Sequence, residues 1–185
     1  RQPLAPPEMN RCGTILFAED WESGAYRWRG ADAKAVALQA EPCSTRFQRE
    51  TTPAILGRAF TKAAIPVSGG HAYCVAAWLR SSEGAKPFLG INLTDAAGTL
   101  GVEHWLIGAS EGYSDGYGGL ATVATADGRW HWYAKGFTFE SDAGFLVIKD
   151  ELWALGASGT ADFDDVVLCE GACPVGPLGE AHACP

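Results

Sequence analysis

Apolar and polar positions alternate with a period of two along most of the chain. In "HAYCVAAWLRS" (71–81), Tyr73, Val75, Ala77 and Leu79 fall on one face and Cys74, Ala76, Trp78 and Arg80 on the other, because successive strand side chains point to opposite sides. "KPFLGINLTD" (86–95) repeats the pattern, with Leu89, Ile91 and Leu93 opposed to Phe88 and Asn92. "GTILFAEDW", "VALQ", "LGVEHWLIG", "RWHWYAKGFTFES", "GFLVIKD" and "TADFDDVVL" read as further strands, and "RAFTKAAIPV" as one interrupted by Pro66, a residue that belongs at a sheet edge or bend. About nine short strands with Gly, Asp and Ser turns, and no amphipathic helical period, predict an all-β antiparallel sandwich of the jelly-roll type.

Two stretches resist assignment: "CSTRFQRETTPAILG" (43–57) and the Gly/Tyr loop "ASEGYSDGYGGLA" (109–121). The Pro-rich opening, residues 1–11, reads as a linker. Residues 12–170 form the domain proper, and the Cys/Pro-rich residues 171–185 a tail or second linker. No internal repeat is present.

At 185 residues and 47% hydrophobic content the chain can bury a core as one domain. Its formal net charge of −8 repels phosphate backbones and argues against a nucleic-acid partner. No apolar run reaches the roughly 20 residues that span a bilayer. The six cysteines, at 12, 43, 74, 169, 173 and 184, suggest disulfides and an extracellular setting. Their pairing stays open among about 15 arrangements. Cys169 and Cys173 lack the matching His pair that zinc would want. The Arg1 start suggests a module processed from a larger secreted protein, expected to act as a monomer.

Four pieces in order carry a resemblance. "EDWESGAYRW" resembles the opening "FE-x-G…W" strand of the carbohydrate-binding modules of families 4, 9, 16 and 22, with Trp21 in place of the usual Phe. "IPVSGGHAYCVAAWLRSS" resembles their "pGxxYxxSxWvr" strand, with Ala76 where Ser is usual. "RWHWYAKGFTFESDAGFLVI" and "DFDDVVL" resemble their Trp/Tyr/Phe strand pair and closing "iDDVsL" strand. The resemblance spans residues 14–168 and implies a jelly roll that binds polysaccharide without catalysis. It also implies a structural calcium ion. By position Glu22 matches the Glu of "FE" and Asp164 the first Asp of "DDV", with Asp165 and Asp20 next in line. Ca²⁺ takes six to eight oxygen ligands. Two acidic clusters meeting in space would repel without a cation between them.

Sugar rings stack their C–H faces on aromatic planes while neighbouring polar groups bond the hydroxyls. Trp130, Tyr73 and Phe137 are assigned to the core. The candidate carbohydrate contacts are Trp78, Arg80, Trp105, Trp132, Trp28, Asn92 and the loop residues Tyr113 and Tyr117. Asn92 also opens an "NLT" glycosylation sequon. Catalysis finds little support. Glu103 and His104 are adjacent on a strand and point apart, and no G-x-S-x-G elbow occurs. The expected partner is a neutral β-glucan, xylan or mannan. The rivals are an adhesion or scaffold sandwich without a sugar site, and an enzyme, either a lyase cast from Tyr113, His104 and Arg80 or a hydrolase on the carboxylates Glu103 and Glu111 that flank Trp105.

Overall fold

The computed structural model describes residues 12–23, 26–30, 36–41, 44–52, 56–108, 111–139, 143–153 and 159–174. The strands are β1 (Thr14–Glu19), β2 (Trp28–Gly30), β3 (Val36–Glu41), β4 (Ser44–Thr52), β5 (Leu56–Thr61), β6 (Ile65–Ser68) and β7 (Ala72–Ser81), followed by β8 (Lys86–Thr94), β9 (Leu100–Gly108), β10 (Thr122–Val123), β11 (His131–Thr138), β12 (Ala143–Trp153) and β13 (Gly159–Glu170). The first sheet runs β11-β7-β13-β4-β3, with β1 also paired to β13; the second runs β10-β9-β8-β12-β5-β2, with β6 also paired to β12. Pairing is antiparallel apart from the two-residue β10 on β9. No helix occurs among the described residues.

The alternation seen in the sequence builds the core. Tyr73, Val75, Ala77 and Leu79 of β7 meet Leu89 and Ile91 of β8 and Leu146, Ile148 and Leu152 of β12 between the sheets. Each of the Val, Leu and Ile side chains contributes about 1.5–3 kcal/mol on burial. Trp130, Tyr73 and Phe137 are buried, as their strand positions suggested.

Two readings of the sequence need correction. "RAFTKAAIPV" is two strands, β5 and β6, both paired to β12. Pro66 sits in β6 opposite Phe145, and β6 pairs with no other strand, an edge position of the kind where proline is tolerated. The unassigned "STRFQRETT" is β4, an inner strand between β13 and β3. Its inward positions are the polar Gln48 and Glu50, both fully buried, so it lacks the apolar period that marks a strand.

Disulfides join Cys12 to Cys169 and Cys74 to Cys173. Cys169 and Cys74 are register partners on β13 and β7, so both bridges lie on one patch of the first sheet and tie each end of the domain to it. Cys43 and Cys184 lie outside the described residues.

Candidate functional site

Residues that alternate with the core positions of the second sheet point to its outer face. Leu89, Ile91, Ile148, Ala59 and Trp28 face the core. Their strand neighbours Phe88, Gly90, Lys149, Phe60 and Arg29 therefore face away. Register aligns a row across five strands: Trp105 opposite Gly90, Gly90 opposite Lys149, Lys149 opposite Phe60, and Phe60 opposite Arg29.

The row has an aromatic half and a cleft half. Trp105 leans over Gly90, where an added Cβ would stand 3.1 Å from Trp105 Cε3 and 2.2 Å from the His104 carbonyl oxygen. Phe88 anchors a ring cluster, with centroids 5.2 Å from Trp105, 5.5 Å from Tyr113 and 5.9 Å from Trp153. Phe88 is buried, Trp105 and Trp153 are half-buried, and Tyr113 is exposed. Lys149 Nζ stands 4.1 Å from the Trp105 ring centroid. It pairs with Glu151 at 2.7 Å and with Glu103, while Trp153 Nε1 donates to Glu151. At the other end a cleft of about 500 Å³ is lined by Arg29, Gly30, Phe60, Gly98, Thr99 and Leu100. The β8–β9 turn forms one wall. Arg29 Nη2 donates to the Gly98 carbonyl at 3.0 Å, and the Asp95 carboxylate accepts the N–H groups of Ala97 and Thr99 at 2.9 Å each.

The Gly/Tyr loop wraps the β9 edge, presenting Tyr113 to Phe88 on the outside and Tyr117 to the inside. Tyr117 stacks on His104 at 4.4 Å and meets Phe137 at 5.2 Å. Burial pushes the His104 imidazole below its ordinary pKa despite nearby Asp115, which favours a neutral ring. Asp115 staples the loop by accepting from Tyr117 and Gly119 at 2.8 and 2.9 Å and pairing with Lys135 at 3.0 Å. Burial works against its charge, yet these bonds hold its carboxyl below the ordinary range.

Of the residues singled out from sequence, Trp105, Tyr113 and Asn92 come together on this face. Asn92 is opposite Glu103 and buried, donating to the Gly101 carbonyl at 3.3 Å. Of the others, the buried Trp28 and Trp78 need correction as sugar contacts, while Tyr117, Arg80 and Trp132 lie apart from this face. Trp28 is fully buried in the core against Trp21 and Phe17. Tyr117 is turned inward as described. Trp78, Arg80 and Trp132 lie on the outer face of the first sheet, across the sandwich from Trp105. Trp78 is 1% exposed, grouped with Phe47, Trp130 and Trp132, so it offers no ring face. Trp132 lies edge-on to Trp78 at 5.7 Å. Arg80 is held by Asp162 at 2.7 Å and lies over the Trp130 ring at 4.7 Å. The sequence reading missed Arg29, Phe60, Lys149, Glu151 and Trp153. The signal was there in "LVIKDELW", whose alternation runs past the core residues into Lys149, Glu151 and Trp153.

The acidic positions do converge. Glu19 at the end of β1 is opposite Val166, which sets the 19–22 turn beside an irregularity in β13 after Asp164. Asp165 there has φ +47°. Burial, then the charges of Asp20 and Glu22, raise the Asp165 carboxyl to about 6. Asp164 Oδ1 accepts the Asp165 N–H at 2.8 Å, and Asp20 Oδ1 accepts that of Glu22 at 3.0 Å. The charge suits a cation. The side chains, as placed, do not form a ligand set: among the described residues no three His, Cys, Asp or Glu groups are positioned to hold one metal ion.

No protein-family profile matches the chain, and no curated protein matches it. Solved structures do. The CBM22-1 xylan-binding domain of Paenibacillus barcinonensis Xyn10C superposes with TM-score 0.54 at 12% identity, covering 87% of this chain and 97% of that one. The C-terminal family 22 carbohydrate-binding module of Clostridium thermocellum Xyn10B gives 0.58 at 12% identity, covering 90% and 98%. A family 4 module gives 0.53 at 12% identity, covering 81% and 99%. At this identity the likeness is one of fold: the chain has the jelly-roll architecture of these carbohydrate-binding modules.

Proposed function

We propose that this chain is a non-catalytic carbohydrate-binding module that holds a larger secreted protein to a polysaccharide, with the outer face of the second sheet as its platform. The row Trp105–Gly90–Lys149–Phe60–Arg29 carries the reading. It sets half-exposed rings at one end and a guanidinium-lined cleft at the other, the two elements a sugar chain needs. A neutral xylan, β-glucan or mannan is the proposed ligand. The acidic surface supports a neutral chain, and the fold neighbours include a xylan-binding domain. The disulfides support an extracellular setting.

A structural calcium ion at the Asp20–Glu22–Asp165 corner is part of the proposal, with Asp164 nearby. Its support is electrostatic: burial and the charges of Asp20 and Glu22 raise the cost of ionising Asp165, and a divalent ion would lower that cost. Coordination would require the side chains to draw inward from their present positions.

One observation favours the scaffold reading. Lys149 and Glu151 at the centre of the face are buried and ion-paired with each other. A hydrolase reading gains nothing comparable. Glu103 and Glu151 converge on one lysine instead of flanking an open space, and His104, Tyr113 and Arg80 occupy three different surroundings.

Affinity electrophoresis against neutral and acidic polysaccharides tests the proposal, with Trp105→Ala and Arg29→Ala beside the parent chain. Retardation by a neutral glycan that both variants lose, while still folded, supports the platform. Absence of retardation in every gel would leave the scaffold reading.

A further inference from the structure

We propose that Glu50 and Asp150 form a proton-holding clasp between the two sheets, and that opening it as pH rises loosens β12 and weakens polysaccharide binding on its outer side. The second half rests on the reading of that face as the sugar platform; the clasp itself does not.

Glu50 belongs to β4 in the first sheet and Asp150 to β12 in the second. Both are fully buried, and their carboxyl groups face each other closely enough for a proton on one to bridge to the other. Asp150 is well supplied with donors: Gln48 Nε2 at 2.6 Å and the Ala59 N–H at 3.2 Å. Gln48 in turn accepts from Tyr26 Oη at 3.0 Å. Glu50 is not supplied. Neither of its oxygens finds a donor in the protein. A carboxylate there would be an orphan in a dry interior beside a second acid. A carboxylic acid there donates its own proton to Asp150, and both groups are satisfied. The arrangement is complete only with a proton on Glu50.

On the face of β4 that carries Gln48 and Glu50, the cation is Arg46, four residues before Glu50 and exposed. Across the first sheet Glu50 is flanked by Val36 of β3 and Ala161 of β13. From the segment before β2 comes the Tyr26 hydroxyl, and burial, then Asp150, Glu50 and Glu19, push its ionisation far above the ordinary range, so it remains a donor. Arg49 and Arg80 are on the far face of the first sheet, engaged with Asp162. Lys149 is the cation next along β12. It points to the outer face and is shared by Glu103 and Glu151. Burial is the largest cause raising both acids. For Glu50 the charge of Asp150 comes next, with Glu151 adding and Lys149 opposing.

The sign follows. Carboxyls in the unfolded chain titrate at about pH 4. The folded pair keeps its proton above that, so the folded state binds more protons and stability falls as pH rises from about 4 through the folded range. Each linked proton changes the folding constant about tenfold per pH unit. Once both acids are charged, relief requires β4 and β12 to part or water to enter. Lys149 and Glu151 flank Asp150 on β12, so the outer row moves with it.

The test is the pH dependence of denaturant stability and of binding for the whole chain and for Glu50→Gln, whose amide can still donate to Asp150. The parent chain should lose stability steadily as pH rises above about 5, and the variant should show a slope shallower by at least one proton. Should Glu50→Gln not fold, calorimetric unfolding of the parent near neutral pH in buffers of different ionisation heat gives the same answer, with at least one proton released on unfolding. An unchanged slope in the variant, or no proton release, overturns the clasp. Gel retardation by xylan at both pH extremes tests the coupling. Loss at high pH in the parent alone supports it, and retardation unchanged by pH overturns it. A stability slope with no retardation at any pH leaves the clasp standing and sinks the sugar platform instead.

Discussion

The Lys149 ammonium stands 4.1 Å from the centroid of the Trp105 indole while joined to Glu103 and Glu151. It is a cation beneath a half-exposed ring, with both charges on it supplied by the same face. Lys149 thereby fixes the plane of Trp105 and is itself spent in doing so. Trp105→Ala should therefore remove the platform and weaken polysaccharide binding about tenfold or more, since stacking and burial of one ring together exceed about 1.4 kcal/mol. Trp132→Ala, on the opposite side of the sandwich, should leave affinity unchanged. Binding isotherms for the two variants on one glycan decide this, and equal losses would contradict the assignment of the face.

Gly90 should tolerate no side chain. A Cβ would stand 2.2 Å from the His104 carbonyl oxygen and 3.1 Å from Trp105 Cε3. The first contact is with backbone, so the β8–β9 ladder must yield. Gly90→Ala should cost about 1–3 kcal/mol or more, seen as a lowered denaturation midpoint, and should disturb the fluorescence of Trp105.

Much of the fold was legible because the core strands alternate cleanly: β7 and β8 show their inward faces in sequence. β4 was not legible because a polar pair, Gln48 and Glu50, occupies positions where apolar residues normally announce a strand. The site was legible only in part. Exposed and buried tryptophans look alike in a sequence. Trp28, Trp78 and Trp105 all follow alternating patterns, and only the pairing of strands shows that one is core, one is under the outer surface of the first sheet, and one is half-open. Tyr113 and Tyr117 are four residues apart in one loop, yet the loop crosses an edge strand between them. The acidic corner was visible as two clusters, and the β1–β13 register brings them together.

The disulfides should dominate stability. Cys74 and Cys173 are separated by 99 residues, a loop whose closure in the unfolded chain is worth about 4–5 kcal/mol in the chain-entropy account. Replacing both by Ala should lower the stability by an amount of that order and leave the outer face of the second sheet intact. Denaturant unfolding of the double variant checks the size. Sugar binding below its midpoint checks that the two bridges, which sit on the first sheet, are remote from the platform.

Asp165→Asn separates the two consequences of the acidic corner. Asn tolerates the left-handed backbone found at this position, so the substitution changes charge with little strain. Without calcium it removes the half-buried member of three like charges, whose neighbours Asp20 and Glu22 are exposed, and stability should rise by on the order of 1 kcal/mol. With calcium the parent chain should gain more than the variant, because a ligand that binds only the folded state stabilises by about 2.7 kcal/mol at a hundredfold excess over Kd. Calcium should therefore reverse the order of the two melting temperatures, and a chelator should restore it. Melting curves that ignore calcium in both proteins would show that the corner holds no ion and that its carboxylates are a solvated strand end.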